Sequence, residues 1–106
     1  MTGQQRQVVD MHGKRVAVAG AARSGVAAAE FLVGRGAHVT LSDVKTELPA
    51  AARLESLGIR LELGGHRRET FTDADLVVVS PGVPPELPVL EAARQRGVPI
   101  LSLIHI

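Results

Sequence analysis

Four consecutive positions, Leu76-Val77-Val78-Val79, are apolar without interruption. Neighbouring side chains on a strand point to opposite faces, so such a run is stable only where both faces are covered. That condition describes the middle of a parallel sheet clothed by helices on both sides. A second run, Arg15-Val16-Ala17-Val18-Ala19, has the same character after its first residue. A chain of 106 residues has room for one such sheet with its helices and not for a second full domain. The packing must be aliphatic: 45% of residues are apolar, yet Phe31 and Phe71 are the only Phe, Tyr or Trp residues.

Punctuation by glycine and proline sets the remaining elements. After the first strand a helical pattern begins near Gly25, with Val26, Ala29, Phe31, Leu32 and Val33 expected to face the sheet and Gly34 and Gly36 to end it. Residues 38–42 read as a second strand. Residues 48–57 read as a second helix with Pro49 in its first turn and Gly58 as its stop, and 59–63 as a third strand. A polar loop is expected from Gly64 to about Thr72. Residues 86–96 read as a third helix with Leu87, Leu90 and Ala93 inward, and 98–101 as a fifth strand that Pro99 puts at an edge. The connections are short and no hairpin signal occurs. The expected fold is therefore α/β: a Rossmann-like doubly wound parallel sheet of about five strands, one domain over 13–101, preceded by a polar leader over 1–12.

Several function classes are disfavoured at once. The formal net charge is +1 and the charges are scattered, with no basic stripe and no interleaved aromatics, so nucleic acid is not an expected partner. Absence of cysteine removes disulfides, thiolate metal sites and cysteine nucleophiles. The polar start lacks the apolar segment of a signal peptide, and no apolar run approaches the ~20 residues that span a bilayer. A cytoplasmic protein without membrane contact is expected. His12, His38, His66 and His105 share no metal-ligand spacing, Arg67-Arg68 reads as a solvated pair, and Asp73 and Asp75 read as turn residues. No Walker A sequence occurs, so no ATP phosphate site is expected in this chain.

Three loops carry the candidate chemistry. Gly20-Ala21-Ala22-Arg23-Ser24-Gly25 joins the first strand to the first helix. Gly20 suits a tight turn, the unpaired amides and dipole of the helix start favour an anion, Ser24 adds a hydroxyl, and Gly25 permits close packing of helix on strand. A dinucleotide fingerprint would have glycine where Ala22 stands. The plain alternative is a strand-to-helix turn with no ligand. Asp43, at the end of the second strand, can accept hydrogen bonds from sugar hydroxyls or a base N–H, or can simply cap the loop. Lys45 beside it can reach a phosphate, or can be a solvated charge. Ser80-Pro81-Gly82-Val83-Pro84-Pro85 leaves the same end of the fourth strand. It is stiffened by its prolines and opened by Gly82, unless it is mere punctuation.

Three stretches together resemble the N-terminal domain of the Mur ligases, and within them the D-glutamate-adding branch: Val16-Ala17-Val18-Ala19-Gly20-Ala21-Ala22-Arg23-Ser24-Gly25, Leu41-Ser42-Asp43 and Asp75-Leu76-Val77-Val78-Val79-Ser80-Pro81-Gly82-Val83. The resemblance runs from about 13 to 100. It implies a domain that holds the UDP part of UDP-N-acetylmuramoyl-L-alanine in peptidoglycan synthesis. Arg23, Ser24 and Gly25 would lie along the diphosphate, Asp43 would recognise the uracil side, and Ser80 and Gly82 would line the same cleft. Members often carry a second glycine at Ala22, and a hydroxyl residue then arginine at Val44 and Lys45; lysine keeps the charge without the planar fork. The resemblance also implies a full-length enzyme using ATP and Mg²⁺ to form an acyl phosphate that the amine of D-glutamate attacks. Those groups belong to further domains, so this chain is expected to hold no catalytic, cofactor-binding or metal-binding residue and to be inactive alone. Family members continue with Gly-Glu where this chain has Ser102-Leu103-Ile104-His105-Ile106, and a truncation point is expected at 102–106. Two rival readings stand: an NAD(P)-binding domain of an oxidoreductase, which Gly20, Gly25 and Asp43 suit and Ala22 does not, and a non-catalytic interaction fragment with an exposed apolar end.

Overall fold

The computed structural model describes residues 11–103. The two apolar runs pair with each other at the centre of the sheet. The elements in chain order are β1 (Arg15–Ala19), α1 (Arg23–Gly34), β2 (His38–Asp43), α2 (Ala51–Ser56), β3 (Arg60–Leu63), α3 (Arg68–Thr72), β4 (Leu76–Val79), α4 (Pro88–Gln95) and β5 (Ile100–Ser102). All pairings are parallel and the strand order is β3-β2-β1-β4-β5. The chain builds outward from β1 to β3, then returns to start again at β4 on the other side of β1. The expected doubly wound, Rossmann-like α/β fold is the fold observed.

Register between the central strands runs from Val16 opposite Leu76 to Ala19 opposite Val79. Asp75 locks it. Its amide donates to the Arg15 carbonyl at 2.7 Å, and its carboxylate accepts from the Arg15 amide at 2.8 Å. Strand alternation then sorts the core into two layers. Val16, Val18, Val39, Leu41 and Val78 pack under Ala29 and Leu32 of α1 and Leu54 of α2. Ala17, Ala19, Val77 and Val79 pack under Phe71 of α3 and Leu90 and Ala93 of α4. The small side chains of Ala17 and Ala19 leave room on that face for Phe71, which is fully buried.

Four expectations about elements are corrected. The polar loop after Gly64 contains α3, a single helical turn with one apolar residue; four of its five positions are polar or charged, so it carries no readable period. Phe31 does not face the sheet but is 58% exposed. Its neighbour Leu32 takes the inward position, and Phe31 points away from it; the Arg35 guanidinium lies 5.8 Å from the Phe31 ring centre instead. The second helix starts only at Ala51, because the segment with Pro49 forms the preceding turn. The fifth strand occupies Ile100–Ser102 rather than 98–101. Pro99 has no amide to give the ladder, though its carbonyl accepts from Val77, and the pairing runs on to a bond from the Leu103 amide to Val79. As its proline implied, β5 is an edge strand.

Parts of the leader and tail, residues 1–10 and 104–106, lie outside the described residues. Met11 packs against the first core layer. Among the described residues no helix is long and apolar enough to cross a membrane. Phe71 is the one large side chain that α3 contributes to the core. Replacing it by alanine is expected to lower stability by about 3–5 kcal/mol, read as the shift of the urea midpoint at constant slope.

Candidate functional site

Strand order reverses between β1 and β4, so the loops leaving their carboxyl ends diverge and open a crevice there. The β1–α1 turn forms one side. Gly20 has φ +98°, a conformation that L side chains rarely adopt, and its amide donates to the Ser42 carbonyl at 2.8 Å. Gly25 lies in the first turn of α1, pressed against the end of β1. A Cβ added to it would sit 1.9 Å from the Gly20 carbonyl oxygen and 2.4 Å from Ser80 Oγ. No side chain fits there. The N-cap position of α1 is Ala22, which has no oxygen to cap with, and the first turn carries no acidic residue. The amides at the start of α1 are thus left uncapped by any side chain, at the positive end of a twelve-residue helix dipole. Arg23, exposed, and Ser24, half-buried, stand beside them.

The β4–α4 loop forms the other side. Ser80 is 2% exposed and its hydroxyl donates to the Gly20 carbonyl at 2.8 Å. It ties the two loops together from beneath, and that hydroxyl hydrogen is committed inside the protein. Gly82 has φ +91° and open space where a Cβ would be, so the backbone there can be approached closely.

Asp43 closes the site at the end of β2. One carboxylate oxygen accepts from the Ala21 amide at 2.6 Å and the other from the Lys45 amide at 2.8 Å. Partial burial pushes the carboxyl pKa up. The Lys45 amide, the Ala21 amide and the positive charges of Lys45 and His66 together outweigh that and hold it below the ordinary value. Lys45 stands alongside, exposed, its carbonyl accepting from Gly64.

The structure thus brings Gly20, Gly25 and Ser80 into contact, links Asp43 to the same turn through Ala21, and leaves Arg23, Ser24, Lys45 and Gly82 on the rim. Sequence reasoning missed the β3–α3 turn, where Gly64 and Gly65 both have positive φ and His66 reaches Ser42 Oγ at 2.6 Å. The paired glycines after a strand were the available signal. A larger hollow of about 460 Å³ opens at the opposite edge, between Arg15, His38, Arg60 and Asp73. It lies toward the starts of β1, β2 and β3, away from the first turn of α1 and from the β4–α4 loop. Among the described residues no group of three or more His, Asp or Glu residues is placed to hold a metal.

Comparison with known proteins gives concordant results. The family described as Mur ligase MurD-like, N-terminal domain, matches residues 14–102. The UDP-N-acetylmuramoylalanine–D-glutamate ligase of Desulfatibacillum aliphaticivorans is 45% identical over 101 residues, covering 92% of this chain and 22% of that protein. The chain spans about a fifth of the length of the curated relatives it matches. Among solved structures, a pseudomurein peptide ligase type C from Methanothermus fervidus superposes with a TM-score of 0.74 at 28% identity, over 84% of this chain and 19% of that one. D-lactate dehydrogenase from Escherichia coli superposes with a TM-score of 0.63 at 30% identity, over 89% and 30%.

The bonds to Asp43 make stability depend on pH in a definite direction. Its folded pKa is lowered from 3.8, so the stabilisation is fully present above that value and is lost as pH falls through the lower folded value. Asp43→Asn removes this component. The stability of the variant, followed by urea unfolding below pH 5, is expected to fall less steeply with acid than that of the parent chain.

Proposed function

Because the chain belongs to the Mur ligase MurD-like N-terminal domain family, we propose that it is the part of a D-glutamate-adding ligase that binds the UDP moiety of UDP-N-acetylmuramoyl-L-alanine. The observation that carries this reading is the uncapped start of α1, held against β1 by Gly25, with the Asp43 carboxylate beside it. The amides of that first turn, with the Arg23 guanidinium and the Ser24 hydroxyl, receive the diphosphate. Gly25 keeps the turn close enough for them to converge. Asp43 retains lone pairs beyond its two backbone bonds and accepts from the uracil or ribose side. Lys45 adds charge on the rim, Gly82 admits the ligand closely, and Ser80 supports the crevice from below.

In the whole enzyme the substrate carboxylate would be activated with ATP and joined to D-glutamate, in the cytoplasm where such substrates are made. The described residues of this chain do not fit ATP or Mg²⁺. There is no Walker A sequence in the 106 residues, and no described group of carboxylates or histidines is arranged for a metal. We assign binding to this chain and assign it no step of catalysis. The dehydrogenase likeness covers 89% of this chain and suits the rival NAD(P) reading, but Ala22 carries a side chain where a dinucleotide fingerprint has glycine.

Calorimetry of the chain tests the proposal. UDP and UDP-N-acetylmuramoyl-L-alanine are expected to bind, and Asp43→Ala to weaken UDP by roughly ten- to a hundred-fold, the size of one charged hydrogen bond. No heat with either ligand on folded protein, or a thermal midpoint raised by NAD and not by UDP, overturns it.

A further inference from the structure

The turn between β3 and α3 grips the end of β2 through three successive residues. The Gly64 amide donates to the Lys45 carbonyl at 2.7 Å, the Gly65 amide donates to the Asp43 carbonyl at 3.1 Å, and His66 Nδ1 lies 2.6 Å from Ser42 Oγ. The gripped stretch is the one that carries the carboxylate of the candidate site. We infer that His66 is a positioning residue for nucleotide binding, acting through Ser42 and Asp43 on the turn that opens α1; this rests on the reading given under Proposed function.

Ser42 is completely buried, so its hydroxyl needs a partner, and the His66 ring supplies one. The bond persists in either charge state of the ring, with the hydroxyl donating to a neutral imidazole or accepting from a charged one. The imidazole is fixed from its other side. Phe71, itself fully buried, meets it edge to face with ring centres 5.8 Å apart at 88°. A ring pinned between the core and Ser42 sets where the turn lies, and so where Gly65 holds the Asp43 backbone. From there the Asp43 side chain reaches the Ala21 amide at 2.6 Å, inside the Gly20–Gly25 turn. Each link from Phe71 through His66, Ser42 and Asp43 to Ala21 is a contact or a covalent step. A role confined to satisfying the Ser42 hydroxyl would end at Ser42. A positioning role reaches Ala21.

The test uses ¹H–¹⁵N spectra and UDP titration of the full 106-residue chain. The Ala21 amide resonance reports its hydrogen bond to Asp43 without any ligand. His66→Leu is expected to move that resonance toward its position in Asp43→Ala, and to weaken UDP about ten-fold, the order of one hydrogen bond. His66→Asn, whose side-chain amide places a polar atom near that of Nδ1, is expected to restore both. In the double variant His66→Leu with Asp43→Ala, UDP binding is expected to be no weaker than in Asp43→Ala alone, as it must be if His66 acts through Asp43. An unmoved Ala21 resonance, or losses that add in the double variant, overturns the inference. If His66→Leu fails to fold, Ser42→Ala with His66→Leu removes both partners and leaves no orphaned hydroxyl, and it carries the same readouts. Failure of the parent chain to bind UDP refutes the functional reading, while the Ala21 resonance still decides the role of His66.

Discussion

The contact between α1 and the end of β1 is the constraint on which the site depends. Gly25 and the Gly20 carbonyl are so close that a single added carbon would overlap the oxygen, and Ser80 fills the remaining space beside them. The closeness aims the start of α1 over the sheet edge at the point where strand order reverses. It also requires the left-handed conformation at Gly20, since the chain must leave β1 and enter the helix within three residues. An anion site made this way consists of backbone. Its strength comes from amide positions, and side chains enter mainly by holding those positions.

Asp43 shows how a single group serves both ends. Its carboxylate joins the β1–α1 turn to the start of the β2–α2 loop through two backbone amides, and this pairing keeps it ionised despite partial burial. An ionised, fixed carboxylate is also what a ligand N–H or O–H needs, since little reorientation is left to lose on binding. Under the proposed function, the features that order the edge of the sheet and those that would receive a nucleotide are largely the same bonds.

Legibility in the sequence followed the strength of local constraint. β4 was readable to the residue, because Leu76-Val77-Val78-Val79 admits only a doubly buried strand. The β1–α1 turn was readable because its glycines stand where backbone geometry excludes other residues. α3 was not, since Phe71 is buried by a long-range fit over Ala17 and Ala19 that no local period announces. Phe31 was misplaced for the converse reason: a bulky apolar side chain reads as core, but its neighbour Leu32 already holds the inward position and the ring lies out beside Arg35. The Ser42–His66 bond spans 24 positions and joins two residues of no shared motif, so only the folded chain reveals it. That the Ser80 hydroxyl points inward to Gly20 depends on the packing of two loops sixty positions apart.

The superposition on both a peptide ligase and a dehydrogenase follows from the same physics. A turn of backbone amides at a sheet reversal suits any diphosphate, so it cannot by itself choose between nucleotides. Discrimination must come from what flanks the turn: the end of β2, where Asp43 is set by its neighbours, and the end of β4, where Gly82 leaves the approach open. The choice of ligand is therefore an argument about Asp43, Val44, Lys45 and the residues that hold them. Under the proposed function, the exposed Val44 side chain offers no polar contact there, and recognition falls to the carboxylate and the lysine.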